Sequence, residues 1–306
     1  MADVSRALAA ALEPVVTQVY FSPECADAYS ALGFEANHAA YPANGAEGKP
    51  DPAQLVRATN RPAYWTSRGS VMGQVPGEVV AAAFAVFNPE AVTAGVELGW
   101  SLTDAATICA ARDSGAIAQL VRILGEKPER LDEARELLVR ATAPLRQEGK
   151  PLYAGLLSLG LPGHPLGDIW RLGDMLREYR GDAHTASWTV AGFDGTEIGV
   201  VTEHYWGVQP RTYVRSRFWS DAQLDAAEER LTSRGLLAGG RLTERGRAER
   251  EAVEEATDRQ CSPIIDALGD DIGTLIEILE PWGAQIREAG GYPPIDVKNL
   301  LKAGAR

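Results

Sequence analysis

The 306-residue chain predicts a mainly α fold, with a helical N-terminal half (1–160) packed on a C-terminal half (161–306) that ends in helix, turn, helix and a short β-hairpin. Three observations predict it. Apolar residues recur at helical spacing along most of the chain. Strand signals are few. Gly239-Gly240, set between Leu236-Leu237 and Arg241-Leu242, has the composition of a two-residue hairpin turn.

Taken in order, Val4, Leu8, Leu12, Val15, Val16 and Val19 form one apolar stripe over residues 4–20. Glu35 to Pro52 is rich in Gly, Pro, Ala and Asn and is expected to be a loop. The stretch 75–92 places a Pro at the start of a helix that stops near Asn88-Pro89, where another begins. Thr103 and Asp104 suit the cap of a helix reaching about residue 124, and residues 128–148 alternate Glu and Arg as an exposed helical face does. Residues 161–167, LPGHPLG, read as the junction between the halves. A helix from Asp168 to Tyr179 is followed by an expected break at Arg180-Gly181-Asp182. There Asp182 would cap a short helix, 183–191. Another helix spans Thr196–Tyr205, and a longer one begins behind Ser220 with Leu224, Ala227 and Leu231 turned inward. After the hairpin, Thr243 caps a closing helix. This order predicts a winged-helix-like C-terminal half with a short β-hairpin wing, and the run RLTERGRAERE resembles the element that follows the wing in MarR-type regulators.

Three further stretches carry a second resemblance: YWTSRGSVMGQVPGEVVAAAFAVFNP (64–89), WRLGDMLREYRGDAHTASWTVAGFDGTE (170–197) and residues 218–258. Together they make the chain similar to the SalK-like helix-turn-helix proteins of actinobacteria over residues 12–285. The most specific pieces are Arg180-Gly-Asp-Ala-His184, Phe87-Asn88-Pro89 and Thr257-Asp258. The chain departs from the family at Met72-Gly73-Gln74, where relatives often read Met-Gly-Pro. The resemblance implies a winged-helix-like C-terminal half and an actinobacterial cytosolic setting, with some relatives in natural-product biosynthesis. It brings no settled catalytic residue with it.

Composition narrows the function classes. A formal charge of −12 opposes general affinity for phosphate backbones, so nucleic acid is not the expected partner. Cys25, Cys109 and Cys261 lie far apart and suit buried thiols in a reducing cytosol. No apolar run is long enough to span a membrane, and the start of the chain lacks signal-peptide character, which makes a cytoplasmic protein without membrane contact the expectation. Four histidines without HExxH or close pairing give no metal site, and no glycine-rich phosphate loop is present, so no cofactor is expected.

Within this frame His184 and Asp182 are the first catalytic candidates: a histidine near carboxylates suits general base chemistry at neutral pH. The alternative is a structural knot in which Asp182 caps a helix and His184 bonds locally. Glu203 and His204, in TEHYWG, come next. Tyr64, Trp65, Arg68, Met72, Phe84, Phe87, Asn88, Trp188 and Trp206 are the candidates for an aromatic ligand pocket between the halves; Asn88 also suits a cap, and the tryptophans suit a core. The reading that results is a small-molecule-binding protein, with acid–base or shape-based catalysis on a natural-product intermediate as an extension of it. The alternative is a ligand-responsive transcriptional regulator touching DNA through Arg211, Arg215, Arg217, Arg241 and Arg245. Against that alternative, the helix meant for the major groove carries Asp221, Asp225, Glu228 and Glu229. Residues 271–290 suit a homodimer interface as well as they suit packing within the chain.

Overall fold

The computed structural model of the chain describes residues 2–36, 38–42 and 55–293. It is mainly helical. The first helices are α1 (Ala2–Thr17) and α2 (Pro23–Ala31), the latter capped by Ser22 through the Cys25 amide. Two short strands, β1 (His38–Pro42) and β2 (Leu55–Ala58), then pair antiparallel. This corrects the loop expected over Glu35–Pro52, of which residues 37 and 43–52 lie outside the described residues. The ladder joins residues far apart in sequence, so local composition carries no sign of it.

Helices α3 (Arg61–Gly69), α4 (Gly77–Ala83), α5 (Pro89–Leu102), α6 (Ala105–Leu124), α7 (Leu131–Thr142) and α8 (Pro151–Leu159) follow. Asp104 caps α6 as expected, and Asn88 caps α5 by accepting from the Glu90 amide at 3.0 Å. The helix from Gly77 ends at Ala83, earlier than its apolar run suggests.

The axis of the molecule is α9 (Pro165–Val190), a single helix of 26 residues. The break expected at Arg180-Gly181-Asp182 does not occur. A glycine inside a helix costs only about 1 kcal/mol, and both ends of α9 are held by burial: Trp170 sits fully inside and donates its indole N–H to the Val16 carbonyl (3.0 Å), while Trp188 is buried near the far end. Asp182 therefore caps no helix of its own. Its carboxylate accepts from the amides of Leu152 and Tyr153, both at 3.1 Å, and so caps α8 from the side.

The remaining elements are α10 (Gly195–Trp206), α11 (Asp221–Ser233), the strands β3 (Leu237–Ala238) and β4 (Arg241–Leu242), α12 (Glu244–Gln260), α13 (Ser262–Leu268) and α14 (Ile272–Glu288). Asp194 and Ser220 each close a capping box, at the starts of α10 and α11. Gly239 and Gly240, at φ +56° and +70°, form the tight turn between β3 and β4 that only residues tolerant of left-handed backbone allow. Gly246 lets α12 press on the hairpin, since a Cβ there would lie 2.2 Å from the Leu236 carbonyl oxygen.

Two apolar cores result. The larger gathers buried residues from α1 through most of α9 and again from α13 and α14. The smaller comprises Trp188, Phe193, Ile198, Val201, Val214, Leu224, Leu231, Leu236 and Val253 with their neighbours. The stretch 271–290 packs within the chain: Leu275, Ile278, Leu279, Trp282 and Ile286 are buried, and Gly283 brings α14 against Pro14 of α1.

Candidate functional site

Where the two cores meet, a cavity of about 670 Å³ opens. Its walls are α1, the middle of α9, the end of α10 with the loop behind it, α12 and α13, and the residues around α14. The spacing in α9 explains its floor. Arg177, Arg180, Gly181 and His184 recur at helical intervals and so share one face, which lines the cavity; Asp182 points elsewhere, to α8. Leu8 and Leu12 of α1, Leu176 of α9, and Ile264 and Ile265 of α13 give apolar wall.

Seven arginines line this space (Arg6, Arg68, Arg177, Arg180, Arg217, Arg250 and Arg287), against three carboxylates, Glu13, Glu178 and Glu254. The arginines are held in place rather than free. Arg68 grips Glu178 with two bonds of 2.7 Å and stacks on Phe84, its guanidinium carbon 4.3 Å from the ring centre. Arg177 reaches the same Glu178 at 2.7 Å. Burial would push the Glu178 carboxyl up, but Arg68 and Arg177 overcome it and hold it down at about 2. Arg180 bridges Asp258 (2.7 Å) and Glu254 (3.2 Å), and Arg250 pairs with Glu254 at 2.7 Å. Arg250 also donates through Nε to the Thr202 hydroxyl at 3.2 Å and lies over the Tyr205 ring. Arg217 lies between the rings of Phe87 and Tyr213, 4.7 and 4.4 Å from their centres.

His184 faces this cluster and shares a 3.2 Å hydrogen bond between Nδ1 and the Thr257 hydroxyl. Burial, and then the nearby charges of Arg250 and Arg180, push it down to about 4, so the imidazole is neutral at physiological pH. Glu203 is turned away from the cavity into the loop before α11. Its two oxygens accept from the amides of Arg211 (2.8 Å) and Val214 (3.0 Å) and so shape that loop. Burial raises its carboxyl above the usual range. His204 is half-buried, outside the cavity wall, with its pKa lowered by burial. Of the aromatic candidates, Trp206 lines the cavity together with Arg68. Tyr64 stands behind Arg68, accepts from it at 3.2 Å, and packs with Tyr20, Phe84 and Phe87. Trp65 is core, against Phe87 and Phe218. Met72 borders a shallow apolar depression elsewhere, beside Cys109 and Leu159. Trp188 belongs to the smaller core. Asn88 holds the loop before α11: its amide donates to the Arg217 carbonyl (2.8 Å) and its side chain to the Phe218 carbonyl (3.0 Å).

Arg177 and Arg180 neighbour His184 in sequence and Tyr205 neighbours His204, but the sequence gives no reason to join Arg6 and Arg250 to them in one site. The pattern Arg177–Arg180–Gly181–His184 was available as a signal once α9 is drawn unbroken. Arg6 and Arg250 reach the cavity from distant helices and leave no local mark.

The face of α11 has a different character. Arg211 is held by Asp225 (2.5 Å) and Glu228 (3.0 Å), and Arg215 by Asp221 (2.7 Å). Arg230 and Arg234 turn back to Asp194 and Glu197. Arg245 pairs with Glu249 at 2.9 Å, Arg241 is exposed on β4, and Arg217 is directed to the cavity. Among the described residues no group of three or more His, Cys, Asp or Glu is placed to hold a metal ion, and no helix is long and apolar enough to cross a membrane.

In comparison with known proteins, the model of a helix-turn-helix family aligns with residues 5–293. No curated protein and no solved structure matches the chain.

Proposed function

We infer the function from one premise, that the chain belongs to this helix-turn-helix family, whose model spans residues 5–293. Our reading is a cytosolic small-molecule-binding protein built on a winged-helix-like scaffold. Helices α10 and α11, the β3–β4 hairpin and α12 follow winged-helix order, and we take the hairpin as the wing. Within the family we place the chain among the SalK-like proteins of actinobacteria, on Arg180–His184, Phe87–Pro89 and Thr257–Asp258, and take its ligand to be a natural-product intermediate.

The observation that carries this reading is the cavity. Its volume falls in the range of small-molecule sites, roughly 300–1,000 Å³. It is lined by α1 and Arg68 on one side and α9, α10, α12 and α13 on the other, and we take these as the contributions of the two halves, 1–160 and 161–306. Binding is favoured over acid–base turnover because His184, the candidate base, is neutral only at the expense of its basicity; its low pKa makes it a weak proton acceptor. Asp182 and Glu203 are engaged with backbone amides away from the cavity.

A second reading, a regulator that binds DNA through residues 211–250, draws on the family itself and on exposed Arg241. The α11 face opposes it: Asp221, Asp225 and Glu229 are exposed there, and the neighbouring arginines already pair with carboxylates. Thermal unfolding across a panel of small aromatic metabolites tests the first reading, which expects a rise in melting temperature that grows with ligand concentration. No stabilisation by any member, together with retardation of duplex DNA that weakens steeply with salt, would favour the second.

A further inference from the structure

We propose that the cavity takes an organic anion: a small molecule bearing a carboxylate, sulfonate or phosphate on an apolar body, held by the arginines of α9, α12 and the loop before α11. This rests on the small-molecule reading above and names the ligand class.

The charge distribution is the first ground. The protein as a whole carries −12, yet this interior space is lined by seven guanidinium groups and three carboxylates. Concentrating like charges where water is scarce is costly, and each buried cation needs a counter-charge. Glu251, Asp258 and Asp174, behind the lining, answer part of the excess through Arg6, Arg180 and Arg177, although Asp174 is shared with the buried Arg112. They leave the lining cationic.

An unfilled donor is the second ground. Arg250 is 1% exposed, and its Nη1 finds no hydrogen-bond partner among the described residues. A buried guanidinium donor without an acceptor costs stability, and an anion oxygen in the cavity would satisfy it. The titration of Tyr64 agrees. Burial alone would push this phenol up, but Arg68, Arg177 and Arg217 reverse that and hold it below its ordinary value. A phenol that ionises more readily although buried registers the positive charge of those three arginines from its place behind Arg68.

The rest of the lining defines the other half of the ligand. Leu8, Leu12, Leu176 and Ile264 offer apolar surface, and Tyr205 and Trp206 offer rings. Gly181 leaves the floor open between Arg177 and His184, so a flat or extended body can lie against α9. Neutral His184 beside it accepts or donates one hydrogen bond without adding charge.

Two dyes of one shape separate the terms. Anilinonaphthalene sulfonate carries an anion, and phenylnaphthylamine is the same ring system without it. Calorimetric titration of the full chain is expected to show one anilinonaphthalene sulfonate per chain, with phenylnaphthylamine binding about tenfold or more weaker. Arg217→Gln and Arg177→Gln should each weaken the sulfonate about tenfold and leave the neutral dye unchanged. Arg215→Gln, on an exposed arginine outside the cavity, should change neither. If Arg177→Gln unfolds by circular dichroism, Arg217→Gln and the rim variant Arg6→Gln carry the test. Equal affinity for both dyes, or equal loss of both on arginine replacement, overturns the anion assignment while the cavity stands as a binding site. Failure of both dyes to bind natively folded protein overturns the assignment and the small-molecule reading together.

Discussion

Arginine–carboxylate pairs build both the interior around α9 and the outer face of α11, but the two regions balance them in opposite ways. On α11 the acids are in surplus: Arg211 alone answers Asp225 and Glu228, Arg215 answers Asp221, and Glu229 adds further negative charge outside. Around the cavity the guanidiniums are in surplus. A DNA-reading protein of this order needs the reverse, with cations on the outer helix. The sign of the charge thus moves the centre of interest from the surface to the inside, although the element order is that of a helix-turn-helix protein.

The largest effect that sharpens this contrast is expected at Arg112–Asp174, a 2.7 Å pair with both side chains 1% exposed. Asp174→Ala strands a buried cation and should cost about 3–5 kcal/mol in denaturant unfolding. Asp221→Ala, which breaks a pair exposed on both sides and screened by solvent, should leave the unfolding midpoint close to wild type. Similar losses at the two positions would break the contrast.

Next comes Asp182, whose removal as the lateral cap of α8 should cost about 1–2 kcal/mol in Asp182→Ala. Burial raises this carboxyl to about 7, above its unfolded value. Between roughly pH 4 and pH 7 the unfolded chain has released that proton and the folded chain has kept it. Wild type should therefore lose stability relative to Asp182→Asn as pH rises through that window. Parallel pH profiles of the two proteins would contradict it.

A smaller effect runs the other way at His184. Its folded pKa, pushed down to about 4, lies below the ordinary value, so the unfolded chain binds the extra proton first. The stability that His184 contributes is complete above about pH 6.5 and is lost as pH falls toward 4. His184→Gln should flatten that part of the acid limb in urea midpoints measured at successive pH values. The smallest effect is a gain. Gly181→Ala should add about 0.5–1 kcal/mol from helix propensity, since a Cβ there meets nothing nearer than Glu178 Oε2 at 3.5 Å. A loss of stability would show that the floor of the cavity is tighter than its geometry indicates.

Local chemistry made much of this architecture legible. Asp104, Ser220 and Thr243 cap where their side chains predict, and Gly239-Gly240 turns the hairpin. What stayed hidden depends on partners distant in sequence. The β1–β2 ladder is one case. The passage of α9 through Gly181 is another, because the burial of Trp170 and Trp188 at its two ends outweighs a local helix breaker. The site was legible only in part. His184, Arg68 and Trp206 do face one cavity, while Asp182 and Glu203, chosen for their proximity in sequence, serve backbone amides instead. Arg6 and Arg250 come from opposite ends of the chain, and nothing in either neighbourhood marks them as companions.

The unbroken course of α9 also limits how molecules come and go. A helix about 39 Å long, gripped by tryptophans toward either end, has no hinge at which the chamber could unfold. The cavity opens instead at its rim on α1, where Arg6 and Glu13 keep about a third or more of their side chains in contact with solvent, so a ligand reaches α9 from there without any helix unfolding.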